Sequence, residues 1–349
     1  MDQPPTSAEV IAGSIIAASA VVSLAVLFRL FVRHIDGQPL LRYEPRGPVP
    51  WNFIAPLLLI GPPAIGIARG IFGDGAPTPE PEYLALNTAY LLTAGATSPA
   101  TWLSSLVGSA SAVRLTEQIA DAAEMTAGIW TTAIASITLA LACYAMLAAL
   151  FGATVYDLGL PTSWRQFGRD VKIGAVAFAA SLAPIYAMML LLNLVFQPKQ
   201  GHPLIEQFIV SPSLSLMAAT VAAAVISAPL FEETAFRLVL QGWLERWTGV
   251  GCVEQRETHR DVVDGAFRSA ARTLHEPQTG AWTPIAITSV LFGLAHYGQG
   301  VAPVPLMLLG VVMGYVYQRT HRVVPGMICH LLFNAYSLGL VWLQFGPGE

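Results

Sequence analysis

Apolar runs, most of them near the roughly twenty residues that cross a bilayer as a helix, recur along this chain at residues 10–33, 51–72, 127–155, 173–197, 213–240, 284–297, 303–318 and 323–345, the sixth of them short. Backbone placed in hydrocarbon has no water to bond and has to close its own hydrogen bonds, so segments of this kind fold as helices. The sequence therefore predicts an all-α polytopic membrane protein with about eight transmembrane helices. Of 349 residues 54% are hydrophobic and 11% charged, against roughly 25% charged in a soluble domain.

The loops between the runs orient the chain. Arg33, Arg42 and Arg46 follow the first run, Arg165, Arg169 and Lys172 the third, Arg246, Arg256 and Arg260 the fifth, and Arg319 and Arg322 the seventh. Every second loop is basic, which places those loops in the cytoplasm and both termini outside; Arg69 is the one charge out of place. The first run follows Asp2 and Glu9 with no basic stretch before it, so it reads as an anchor helix and not as a cleaved signal.

Two polar segments interrupt the pattern and divide the chain. Residues 73–126 open on the Pro-rich stretch Asp74–Pro81 and carry mainly acidic charge, as expected of an extracytoplasmic loop with one or two surface-lying helices. Residues 248–283 mix both signs, as expected of a small cytoplasmic insertion. The division is then an N-terminal transmembrane region, 1–210, and a core, 211–345, that carries the insertion. Cys143, Cys252 and Cys329 are far apart with no CxxC spacing, which argues against a disulfide framework or a cysteine zinc site. A net charge of -4 with no dense basic cluster sets nucleic acid aside as a partner.

The core contains the chemistry. An ionised side chain costs roughly 2.5 to 3.5 kcal/mol at the centre of a membrane helix, yet the fifth run holds Glu232, Glu233 and Arg237, and later runs hold His296 and His330. Glu233 and Arg237 are four apart on one helix face and can neutralise each other. Glu232 points about 100° away and is left free, as suits a general base. His330 and Asn334, again four apart, can donate to one developing oxyanion. No Walker A, GxSxG or GxGxxG motif sits in a supporting context, and no serine is placed as a nucleophile, so water is the expected nucleophile, activated by Glu232 with His296. Two histidines and a carboxylate are also a catalytic zinc ligand set, so zinc on Glu232, His296 and His330 stays open as the alternative to a site without cofactor.

Three stretches, E-E-T-A-F-R at 232–237, F-G-L-A-H at 292–296 and H-L-L-F-N at 330–334, with the lead-in G-Y-V-Y-Q-R-T at 314–320, resemble the motifs of the CPBP intramembrane proteases. That family includes type II CAAX prenyl endopeptidases and bacterial proteins of bacteriocin processing or self-immunity. The resemblance covers roughly residues 211–340. It implies Glu232 as the catalytic carboxylate, Glu233 and Arg237 as its neighbours, His296 as the partner in activating water, and His330 with Asn334 as oxyanion donors. Leu238 stands where the family usually has glycine, and the 248–283 insertion is longer than the usual link.

The sequence thus points to an intramembrane endopeptidase of a bacterial cytoplasmic membrane. Its substrate would be a membrane-associated or lipid-modified protein or peptide, and its active site a polar cavity opening toward the cytoplasm. A proton-coupled transporter, or a catalytically silent scaffold or immunity protein of the same family, are the competing classes. Counting ~1.5 Å per residue puts Glu232 about 22 Å from Trp247, but His330 only about 8 Å from Pro325.

Overall fold

The computed structural model describes residues 6–60, 110–196, 213–249, 282–297 and 299–345. All regular structure among them is helical: α1 (Ser7–Ile35), α2 (Ala110–Phe151), α3 (Trp164–Phe196), α4 (Leu214–Thr248), α5 (Trp282–Leu294), α6 (Pro303–Thr320) and α7 (Val324–Phe345). Five helical segments are long and apolar enough to cross a membrane: Ser7–Ile35, Ala123–Phe151, Trp164–Phe196, Leu214–Thr248 and Val324–Leu343. The fold is that of an all-α integral membrane protein. The expected second span is described only as far as residue 60, and most of the 73–126 loop and the 248–283 insertion lie outside the described residues. Residues 110–126, expected in that loop, instead continue α2 toward its N-terminus.

Helix α4 is the hub. Its first half packs on α2 and α7, and its second half on α5 and α6. Helix α3 packs on α1, α6 and α7. Helix α1 leaves most of its apolar side chains exposed, as a lipid-facing helix does, and is pinned at two serines. Ser19 Oγ hydrogen-bonds the Tyr336 hydroxyl at 2.7 Å, and the fully buried Ser23 accepts the Ala183 amide at 3.0 Å. Ala183 precedes Pro184, whose ring interrupts the hydrogen-bond ladder of α3, so Ser23 answers a backbone group beside that break. Where α3 crosses the start of α7, Gly174 lets the chains meet: a Cβ there would stand 2.6 Å from the Pro325 carbonyl oxygen.

The loops expected in the cytoplasm converge on one face. Glu44 pairs with both Arg169 and Arg322, Arg322 Nε donates to Asp170 Oδ1 at 2.6 Å, and Arg46 Nη2 donates to the Tyr317 hydroxyl at 3.1 Å. Arg246 Nη1 donates to the carbonyls of Val49, Pro50 and Trp51 at 2.9 to 3.0 Å. The basic loops after α1, α2, α4 and α6 therefore lie on one side, as the positive-inside rule requires of a single membrane surface.

Residues 41–51 form a strap across that face. Trp51 and Val49 are fully buried, and Trp51 Nε1 donates to the Val239 carbonyl of α4 at 3.1 Å. Beneath the strap lies the α6–α7 turn, whose His321, Arg322 and Val323 are buried as well. His321 takes the left-handed conformation (φ 49°) that ends α6, and its Nδ1 donates to the Glu44 carbonyl at 2.8 Å. The strap thus covers the α6–α7 turn and the end of α4 on that face.

Candidate active site

Glu232 sits where α4 changes register. Two π-helical stretches, Val221–Ser227 and Glu233–Gln241, flank the short α-helical piece Ala228–Glu232. A π segment widens the turn and leaves backbone groups out of the ordinary i→i−4 ladder, a feature concentrated at functional sites. Its neighbours here answer that need: Trp51 reaches Val239, and Asn334 Nδ2 donates to the Ala224 carbonyl at 2.7 Å.

The two glutamates face different surroundings. Glu233 and Arg237 are completely buried and paired, Nε to Oε2 at 3.3 Å. Arg237 also contacts Thr288 Oγ1 through Nη1 at 3.3 Å and lies over the Phe292 ring at 5.2 Å. Burying a charge is tolerable only when it is paired and hydrogen-bonded, and these contacts supply the pairing expected from the i, i+4 spacing. Glu232 keeps 21% of its side chain exposed and has no arginine partner among the described contacts. Its Oε2 stands 3.9 Å from His296 Nε2 and 4.0 Å from His330 Nε2.

Each histidine is fixed at its other ring nitrogen. His296 lies just past the end of α5 and donates from Nδ1 to the Phe292 carbonyl at 2.8 Å, which leaves Nε2 as the acceptor in the neutral ring. His330, in the second turn of α7, turns Nδ1 toward Glu233 Oε1 at 3.5 Å. Phe292 is the common floor: fully buried, it meets His330 and Phe236 edge to face and His296 at a tilt, with centroids 5.1 to 5.6 Å apart. The structure therefore brings Glu232, Glu233, Arg237, His296 and His330 together. Asn334 stands one turn beyond His330 with one amide hydrogen committed to Ala224.

Phe292 opens the 292–296 motif, but its role as floor is not marked there, and two further contributors lie outside the motifs. Thr288 reads as a neutral helix position. Gly326, in the first turn of α7, would place a Cβ 2.6 Å from Glu233 Oε2, so its missing side chain is what admits the Glu233 carboxylate to the helix N-terminus, where the backbone dipole favours an anion.

Zinc would need closer ligands. Bonds of about 2.0 to 2.2 Å in a tetrahedron separate ligand atoms by roughly 3.3 to 3.6 Å, whereas Glu232 stands 3.9 and 4.0 Å from the two imidazole nitrogens. As placed, the three residues do not fit a closed zinc site, and no cluster of three His, Cys, Asp or Glu among the described residues does.

Residues 262–336 match the family model of the Rce1-like type II CAAX prenyl endopeptidases. The match spans His296, His330 and Asn334 and bears out the resemblance read from the motifs; Glu232, Glu233 and Arg237 precede it. No curated protein and no solved structure matches the chain.

Proposed function

We propose that the protein is an intramembrane endopeptidase that hydrolyses a peptide bond of a membrane-associated protein or peptide, of CAAX or bacteriocin-leader type, in a bacterial cytoplasmic membrane. The observation that carries this reading is the gap between one half-buried carboxylate and two imidazole nitrogens. Separations of 3.9 and 4.0 Å are too long for direct hydrogen bonds and suit one bridging water.

In that position water gives one proton to Glu232 and its other hydrogen to His296 Nε2 as a hydrogen bond. Its oxygen bonds to the scissile carbonyl carbon, and the carbonyl π pair moves onto oxygen. The oxyanion accepts from His330 Nε2 and from the uncommitted amide hydrogen of Asn334. A carboxylate faces each ring nitrogen of His330, Glu233 at Nδ1 and Glu232 at Nε2. When the C–N bond breaks, the proton held by Glu232 passes to the leaving nitrogen, giving an acid and an amine from one water. The mechanism needs no metal.

The test is cleavage of a quenched, lipid-anchored peptide by purified protein, with Glu232→Ala and His296→Ala beside the wild type. Both variants lose cleavage, and equal rates in all three would overturn the assignment. Chelator leaves wild-type cleavage intact; a loss that added zinc restores would overturn the metal-free mechanism.

A further inference from the structure

Below the site, Glu233, Arg237, Gln241 and Glu245 follow one another along α4 in steps of four residues, and all four are buried. On an ideal α-helix residues four apart drift by about 40° per step. The π-helical turns of Glu233–Gln241 are wider, so the four side chains hold closer to one line. At ~1.5 Å per residue the stripe runs up to about 18 Å from the catalytic carboxylates toward the basic face.

Its lower half is partly knit together. Gln241 Nε2 donates to Glu245 Oε1 at 2.9 Å and to the Gly314 carbonyl at 2.8 Å. Glu245 Oε2 faces His321 Nε2 at 3.6 Å, and the half-buried Arg46 lies beside them at the strap. Yet every member of the stripe keeps one buried polar atom without a protein hydrogen bond: Glu233 Oε1, which has only His330 Nδ1 at 3.5 Å, Arg237 Nη2, Gln241 Oε1, and Glu245 Oε2, which has only His321 Nε2 at 3.6 Å. Buried polar atoms in folded proteins find a partner in protein or in ordered water, because leaving them bare costs the full desolvation penalty. Four consecutive members with the same unmet need repeat at the spacing of the stripe itself. Gly314 lets the α6 backbone come close to Gln241: a Cβ on that residue would stand 3.1 Å from both Gln241 Oε1 and the Ile285 side chain.

We propose that this stripe holds a file of internal waters running from beneath the strap to Glu233, and that the file resupplies the water consumed at each turnover. The inference rests on the hydrolytic reading above. Each cleavage removes one water from the site, and α4 offers a polar line from the basic face to Glu233, the neighbour of the reacting Glu232 carboxylate.

Two measurements test it. An experimental structure of the wild type in lipid nanodiscs, taken to a resolution that shows ordered water, has density within hydrogen-bonding distance of Gln241 Oε1 and Glu245 Oε2; a dry stripe overturns the proposal. Separately, Gln241→Leu fills the same space without polar atoms, whereas Gln241→Ser leaves space for an added water. The file predicts that the leucine variant loses roughly tenfold in kcat at unchanged KM while the serine variant keeps more turnover. A packing role for Gln241 reverses that order, and leucine equal to or better than serine overturns the file. The density is read without any cleavage, so a hydrated stripe in a protein that cleaves nothing would sink the protease reading alone.

Discussion

Replacing Gly326 by alanine tests how the Glu233 carboxylate is held. The added Cβ would lie 2.6 Å from Oε2, and ordinary contact begins at 3.4 Å, so the carboxylate has to retreat by about 3.4 − 2.6 = 0.8 Å or push α7 away. Its bond to Arg237 Nε is already 3.3 Å and its approach to His330 Nδ1 3.5 Å; neither survives a shift of that size in the wrong direction. Losing a charge-assisted bond inside the protein costs about 1.5 to 3 kcal/mol, against which alanine in a helix gains about 0.5 to 1 kcal/mol over glycine. The net expectation is a loss of about 1 to 2 kcal/mol. Misplacing a catalytic neighbour by close to 1 Å further costs on the order of a hundredfold in rate. Gly339→Ala is the control, since that glycine lies on the same helix with nothing within 4 Å of the added atom. Thermal unfolding in detergent and peptide cleavage should both fall for Gly326→Ala and hold for Gly339→Ala. A Gly326→Ala protein that unfolds no earlier than wild type and cleaves at the same rate refutes the account of Glu233.

The glutamates should fail differently. Glu232→Gln folds and expresses as wild type but does not cleave, because its carboxylate is partly exposed and has no buried cation to strand. Glu233→Gln leaves Arg237 buried without its counter-charge, a loss of about 3 to 5 kcal/mol, and shows lower expression and an earlier unfolding transition as well as lost activity; equal behaviour of the two variants refutes the division. Stability should also fall in acid through His321, whose burial, aided by the nearby Arg46 charge, pushes its pKa from 6.5 down to about 3. The unfolded chain then takes up this proton below pH 6.5 while the folded chain does not until about 3, so the contribution is full above pH 6.5 and is lost as pH falls through about 3. His321→Asn, which tolerates the left-handed backbone, should flatten that part of the unfolding-temperature profile, and an unchanged slope would refute it.

The helical class was legible because it rests on apolar length, and the arginines retained in alternate loops foretold that those loops share one face. Arg46, Arg169, Arg246 and Arg322, far apart in sequence, do meet on one face. The strap was not legible: Glu44 reads as a loop residue and Trp51 as the first residue of an expected span until the fold shows Glu44 between two arginines and Trp51 bonded into α4. Depth was misleading for a related reason. His330 lies about 9 Å into α7 and Glu232 about 24 Å from the end of α4, and the two meet because α4, at 35 residues, outruns the bilayer while the α6–α7 turn is buried under the strap.

The π segments were hidden as well, since a change of hydrogen-bond register leaves no mark on apolar periodicity, and they alter what the motifs mean. Sequence spacing gave Glu233 to Arg237 as a structural pair and left Glu232 alone with the chemistry. In the folded chain His330 faces both, Nδ1 toward Glu233 and Nε2 toward Glu232. A ring held between two carboxylates cannot keep its orientation at one when the other is changed, because its two nitrogens lie on one rigid plane. On the proposed mechanism Glu233 then acts on the reaction through His330 as well as through the fold. If so, a Glu233→Gln protein stabilised elsewhere to wild-type unfolding temperature still cleaves slowly, and full recovery of the rate along with stability would return Glu233 to a purely structural role.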